Sequence, residues 1–268
     1  MALKYPVLLA HGMGFRDRRF LNYWGRIPAA LEKMGCRVFY GNQDSSSSVE
    51  TGGRVIASRI REITEQTGAA KVNIIAHSKG GMEARYAIST LGEAPRVASL
   101  TTISTPHRGS VTMDKIMTLP QWALKFGCAV ADVWFKLLGD KKPDCFSSIS
   151  LFTTRAAEEF NRNNPDSEGV YYQSFAFVMK NAASDIFMWL SNLIVNHFEG
   201  ENDGLLAPRA VMWGDFRGIF RGAGRRGISH CDEVDMRRRP LSKKHGGGVS
   251  DIVEFYKNIV AELEEKGF

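Results

Sequence analysis

The sequence predicts an α/β fold, a mostly parallel central sheet covered by helices on both faces. Three observations lead there. Short unbroken apolar runs recur at residues 5–10 (YPVLLA), 71–76 (KVNIIA) and 97–103 (VASLTTI), and strands buried on both faces of a parallel sheet read this way. Segments with helical spacing separate them, which gives the strand–helix–strand rhythm of crossover connections. The chain has 268 residues, 44% of them hydrophobic, and no fixed-period repeat, so a single domain spanning 1–268 with one large core is expected.

Taken in order, the first run stops at His11-Gly12. Residues 21–34 have helical spacing, and Gly35 suits a left-handed C-terminal stop. Residues 36–40 read as a second strand. Ser48 can cap a helix that runs to about Gln66. After the 71–76 strand, residues 80–91 are helical and 97–103 are extended again. Ligands of such sheets bind at the carboxyl ends of strands, where three polar motifs fall: His11-Gly12-Met13, Ser78, and Ser104 to His107. Beyond Gly109 the rhythm breaks. Residues 113–138 carry Trp122, Phe126, Trp134 and many Leu and Val, and read as one or two helices. Residues 151–161 read as a helix, 170–178 as a strand, 185–197 as a second very apolar helix, 214–227 as irregular, and 251–266 as an amphipathic closing helix.

Net charge is +6 and the isoelectric point about 9.2. A basic surface favours anionic partners such as acidic lipid headgroups. Much of the excess lies between Arg217 and Lys244 and reads first as a solvated loop. The Gly-Arg spacing there resembles nucleic-acid-binding tails, but no aromatic ladder accompanies it, so no nucleic-acid partner is expected. The four cysteines form no CxxC pair. No charged-then-apolar leader opens the chain, so a cytoplasmic location with reduced thiols is expected, or secretion if a leader has been removed.

The chemistry concentrates at Ala76-His77-Ser78-Lys79-Gly80-Gly81, which leaves a strand and opens a helix. That is the context of a nucleophile elbow, in which small flanking residues let a sharp turn lift the serine above the sheet. Acyl transfer then needs two N–H donors for the developing oxyanion. Lys79 supplies one, directly after Ser78. His11-Gly12-Met13-Gly14 supplies the other, with the Met13 N–H as donor. The fold's chain order places an acid and then a histidine after the serine. Asp203, in a turn followed by Gly204, is the leading acid, with Asp185 and Asp215 as alternatives. His230 and His245 both remain as the base, while His197 precedes Asp203 and falls out of order. Each of these residues also has a bland reading, as an N-cap, a turn residue or an exposed loop histidine.

Taken together, residues 6–13 (PVLLAHGM), 74–81 (IIAHSKGG), 101–109 (TTISTPHRG), 23–25 (YWG), 202–204 (NDG) and 230–234 (HCDEV) resemble the bacterial true-lipase family of triacylglycerol lipases, which has the α/β-hydrolase fold. The resemblance runs from residue 5 to residue 235. It implies hydrolysis of carboxylic esters of lipids through an acyl-enzyme on Ser78, with Asp203 and His230 completing the triad. It also implies a helical lid at about 111–145, with a second apolar helix at about 184–198. Without it, both segments read equally as extra core. Transient contact with a lipid interface would follow from a lid; oligomeric state is left open. Family members usually bind calcium near the histidine, and Asp232 stands at a ligand position. Met236 and Arg237 stand where oxygen donors belong, however, so no metal and no cofactor is expected. The alternatives are an acyltransferase or amidase on the same residues, or a non-catalytic protein of membrane surfaces.

Overall fold

Side chains of a strand alternate between the two faces of its sheet, and the apolar runs divide accordingly. In the computed structural model, which describes residues 3–14, 16–17, 22–243 and 247–268, six strands form one sheet. They are β1 (Val7–Ala10), β2 (Val38–Tyr40), β3 (Val72–His77), β4 (Val97–Ile103), β5 (Tyr171–Val178) and β6 (Asp215–Arg221). Their order is β2-β1-β3-β4-β5-β6, and every pairing is parallel.

Val7, Leu9, Ile75, Ile103, Phe175 and Phe177 face one core, together with Ile27 and Leu31 of α1 (Ile27–Lys33). Leu8, Ala10, Ile74, Ala76 and Leu100 face the other. There they meet Ile56, Ile60 and Ile63 of α2 (Val49–Thr67) and Ala84, Ala87 and Ile88 of α3 (Lys79–Ser89). The Ser48 side chain accepts from the Thr51 N–H and so caps α2. Between β4 and β5 run α4 (Val111–Ile116), α5 (Gln121–Leu137), α6 (Cys145–Ser150) and α7 (Thr154–Asn163). Between β5 and β6 run α8 (Trp189–Glu199) and the short α9 (Pro208–Val211). The closing helix α10 (Ile252–Glu265) covers the first face beside α1.

The structure corrects three expectations. Residues 214–227 are not wholly irregular, because β6 lies within them. It is the sheet's edge strand and only half buried, so its sequence (DFRGIFR) carries charges instead of an apolar run. Its register against β5 also shifts between Ser174 and Ala176, beside Gly218 at φ 111°, and a bulge of this kind breaks the alternation that would reveal a strand. The expected helix over 21–34 begins only at Ile27, next to Pro28, which fits the first turn of a helix; Leu21 lies outside the described residues. α6 was not expected. It is a single short stretch capped by Asp144, whose side chain accepts from the Ser147 N–H.

The apolar helix α5 does not join the core. Trp122, Phe126, Trp134 and Leu137 are all at least 60% exposed, and Cys128 is its one buried residue. On α8, Trp189, Leu190 and Leu193 are exposed, as are Ile186 and Phe187 just before it. Among the described residues no helix is long and apolar enough to cross a membrane.

The start of α3 lies very close to the end of β1. A Cβ on Gly80 would sit 2.4 Å from the Ala10 carbonyl oxygen and 2.5 Å from that of His11. Both are backbone atoms that cannot swing aside. Gly80→Ala is therefore expected to cost at least about 1–3 kcal/mol of stability, measured as a fall in the urea midpoint at unchanged slope.

Candidate active site

β3 ends at His77, and the chain turns at once into α3. Ser78 occupies the turn at φ 53°, ψ −129°, a conformation that L-residues adopt only when their surroundings impose it. Its N–H donates to the Ile103 carbonyl, and its carbonyl accepts from the Gly81 N–H and the Thr105 hydroxyl. The elbow is thus held by β4 on one side and α3 on the other. Ser78 is partly exposed, whereas its neighbours are buried. The N–H of Lys79 is among the free donors of the first helical turn. Its side chain is fully buried and tied elsewhere: the ammonium donates to the Ser47 carbonyl at 3.0 Å and pairs with Glu83.

The loop after β1 runs alongside. A Cβ on Gly12 would lie 2.7 Å from the Ser78 Cβ and 2.8 Å from the Tyr23 hydroxyl, so only glycine lets this backbone pass the serine. Met13 follows directly, ahead of Gly14 at φ 100°. The loop is anchored through Gln43, whose side-chain amide donates to the His11 carbonyl and whose own carbonyl lies 2.9 Å from His11 Nε2.

Asp203 and His230 meet, with Asp203 Oδ2 2.8 Å from His230 Nδ1. Oδ1 of Asp203 accepts from the Leu205 and Leu206 N–H groups at 2.8 Å each. The His230 N–H donates to the Asp203 carbonyl, so the two loops are joined through backbone as well. Burial alone would raise the Asp203 carboxyl, but the imidazole and the two backbone donors outweigh it and hold the group below its ordinary value. The His230 ring lies 4.4 Å, centroid to centroid, from that of His77, the residue before Ser78.

The other candidates lie elsewhere. Asp215 accepts from Tyr171 and Arg217 at the sheet edge. Asp185 accepts from Ser229 and Arg237. His197 packs on Phe198 within α8. His245 lies outside the described residues. His107, in the motif after β4, is buried against Trp213 and beside the Thr102 hydroxyl, which makes it a packing residue of this wall.

Sequence reasoning passed over a second layer. His77 Nδ1 lies 2.7 Å from the Tyr23 hydroxyl, and His77 Nε2 lies 3.0 Å from Glu233 Oε2. Burial, then the nearby His230 and His11, hold His77 well below the ordinary histidine range. Burial and the neighbouring Asp203 charge push Glu233 well above the ordinary carboxyl range. Both groups therefore favour their neutral forms, which leaves Asp203 as the anion facing His230. The available signal was position: His77 precedes the nucleophile and Glu233 lies three residues after His230.

His77, His230 and Glu233 bring potential metal ligands within 4.8 Å of one another. Their atoms already face Tyr23, Asp203 and each other, so a metal would have to break those bonds. The calcium implied by resemblance also finds no fit. Arg237 lies between the two carboxylates at that place, its Nη2 donating to Asp185 Oδ2 at 2.8 Å and its Nε 2.8 Å from Asp232 Oδ1. A hard cation needs six to eight oxygens, and here a guanidinium already stands against one oxygen of each carboxylate.

Comparison with known proteins agrees with this reading of the fold. The alpha/beta hydrolase fold family matches residues 5–131. A triacylglycerol lipase of Vibrio cholerae is 28% identical over 98% of this chain and 89% of its own. Triacylglycerol lipase 2 of Saccharomyces cerevisiae is 28% identical over 92% of this chain and 75% of its own. The crystal structure of a metagenomic carboxyl esterase superposes with a TM-score of 0.74 at 15% identity, covering 98% of this chain and 76% of that one; at that identity the likeness speaks for the fold alone. Fold and relatives together define a carboxylic ester hydrolase. The chain has the α/β-hydrolase fold, and the curated proteins it matches along most of its length are triacylglycerol lipases.

Glu233 generates a prediction with a definite sign. Its folded pKa is raised, so the stability linked to it is fully present below the unfolded value near 4.5 and is lost as pH rises toward the folded value. Glu233→Gln removes that loss. Its thermal midpoint, relative to the native protein, is expected to climb as pH rises above the unfolded value; a constant offset would contradict the assignment.

Proposed function

We propose that Ser78, His230 and Asp203 form a catalytic triad that hydrolyses lipid esters through an acyl-enzyme. The observation that carries this is the 2.8 Å Asp203–His230 contact, with the imidazole packed against the residue that precedes a strained, partly exposed Ser78. The Ser78 hydroxyl attacks the ester carbonyl carbon while His230 Nε2 takes its proton. Asp203, bonded to Nδ1, fixes the tautomer and stabilises the imidazolium. The carbonyl oxygen becomes an anion between the Lys79 and Met13 N–H groups. Collapse expels the alcohol, which takes the proton back from His230. Water, deprotonated by the same imidazole, then releases the acid and restores Ser78.

Lipid esters are the proposed substrates because the relatives are triacylglycerol lipases and because α5 and the start of α8 expose a large apolar surface. Patches of this kind mark interaction surfaces. The two helices, within about 111–145 and 184–198, act as a lid whose apolar face meets lipid and admits medium or long acyl chains.

A fluorophosphonate is expected to label the native protein and to leave Ser78→Ala unlabelled; labelling of Ser78→Ala would remove the nucleophile from the scheme. Asp203→Asn is expected to keep the fold and lose about 10,000-fold in kcat, as when the acid of other serine triads is replaced. Across p-nitrophenyl esters, activity should rise beyond acetate and rise again on emulsions. Activity confined to acetate, with no gain on emulsions, would contradict the lid.

A further inference from the structure

Two buried acids flank the loop that carries His230, Asp232 within it and Asp185 before α8, with the Arg237 cation between them. Asp185 is 2% exposed and Asp232 4%. Nη2 of Arg237 donates to Asp185 Oδ2 at 2.8 Å and to the Ser184 carbonyl at 3.3 Å, and its Nε lies 2.8 Å from Asp232 Oδ1. Arg226 converges on the same Ser184 carbonyl. Both acids act on Ser229, the residue before His230: the Ser229 hydroxyl donates to Asp185 Oδ2 at 2.6 Å, and the Ser229 N–H donates to Asp232 Oδ2 at 3.3 Å. Asp185 also accepts from the Phe187 N–H at the approach to α8. One guanidinium therefore joins the approach to an apolar helix to the histidine loop.

We infer that Arg237 is a positioning residue that serves as a covalently attached cation, doing for the His230 loop what a bound divalent metal would do and making such a metal unnecessary. Two adjacent buried carboxylates require a compensating positive charge. A guanidinium supplies it together with directed donors that match carboxylate oxygens. The side chain reaches in from the same loop it fixes, so the clamp is present whenever the chain is folded. A cleft lined by Asp185, Phe187, Cys231, Met236 and Arg237 opens beside it. Truncating Arg237 would leave Asp185 and Asp232 open to solvent cations, while Arg226 keeps the Ser184 carbonyl.

The test compares the native protein, Arg237→Ala and Arg237→Gln in chelator and in millimolar calcium, reading thermal midpoint and kcat/KM on a soluble ester. The native protein is expected to give the same values in both media. Each variant in chelator should lose about tenfold or more in activity, as when an outer-shell partner of a site is removed, and melt lower. Calcium should then raise its midpoint by about 3 °C or more by mass action and return much of the activity. Arg237→Gln keeps most of the stem and serves if the alanine variant does not fold. A calcium-dependent native protein would overturn the inference. So would variants that match the native protein in chelator, or variants that are impaired and indifferent to calcium. The inference rests on His230 being the base; the midpoints report the cation exchange even if that reading fails, and activity alone reports the base.

Discussion

The site depends first on one backbone conformation. Ser78, at φ 53° and ψ −129°, carries a local cost of order 1–3 kcal/mol and holds it because the sheet leaves no room to relax. Its N–H is taken by β4 and its carbonyl by Gly81 and Thr105. Glycines at 12, 80 and 81 stand where any Cβ would strike Ser78, the end of β1 or Thr105. The hydroxyl is presented from a turn bonded on both sides to the sheet and α3, and its flanking residues are chosen by what they lack.

The histidine side is built on the opposite plan. His230 lies on a long connection with little regular structure, where charges fix it alongside the packing of Ile228 and Val234. Arg26, at the start of α1, binds Asp235 and Asp251 through several short hydrogen bonds, while Arg237 binds Asp185 and Asp232. Bidentate arginine–carboxylate contacts add direction as well as energy. Between them the imidazole is confined by Asp203 on one edge and His77 on one face. Neutral His77 and Glu233 behind it spare the site a second buried charge. The rigid serine and the ion-clamped histidine answer to different physics, and substitutions far apart in the chain can loosen one without the other.

This division also explains what could be read from the sequence. The buried strands β1, β3 and β4 announce themselves as unbroken apolar runs, because both faces of a parallel strand are covered. β6 does not, because an edge strand with a glycine bulge carries Arg217 and Arg221 where a central strand would carry valine. Ser78 was legible because the elbow demands strand, small residues and helix within a few positions. Asp203 and His230 were one choice among several by chain order and were singled out by resemblance, since a loop acid or a loop histidine has no local pattern of its own. The roles of His77, Glu233 and Arg237 were invisible for a deeper reason. Each depends on a partner 52 to 156 positions away or on a neighbour's protonation state, and nothing in a local window encodes that. Arg237 was noticed only as a residue unable to ligate a metal; its contacts give that departure a positive meaning.

The placement of the indole side chains has a practical consequence. Of the five tryptophans, Trp24 is sealed in the core and Trp213 stacks on His107. The other three, Trp122, Trp134 and Trp189, sit on α5 and α8 and are at least half exposed. The intrinsic fluorescence of this protein is therefore weighted toward the very helices whose apolar faces look outward. Their red-edge emission in water makes the unlabelled chain its own optical sensor of whatever comes to cover them.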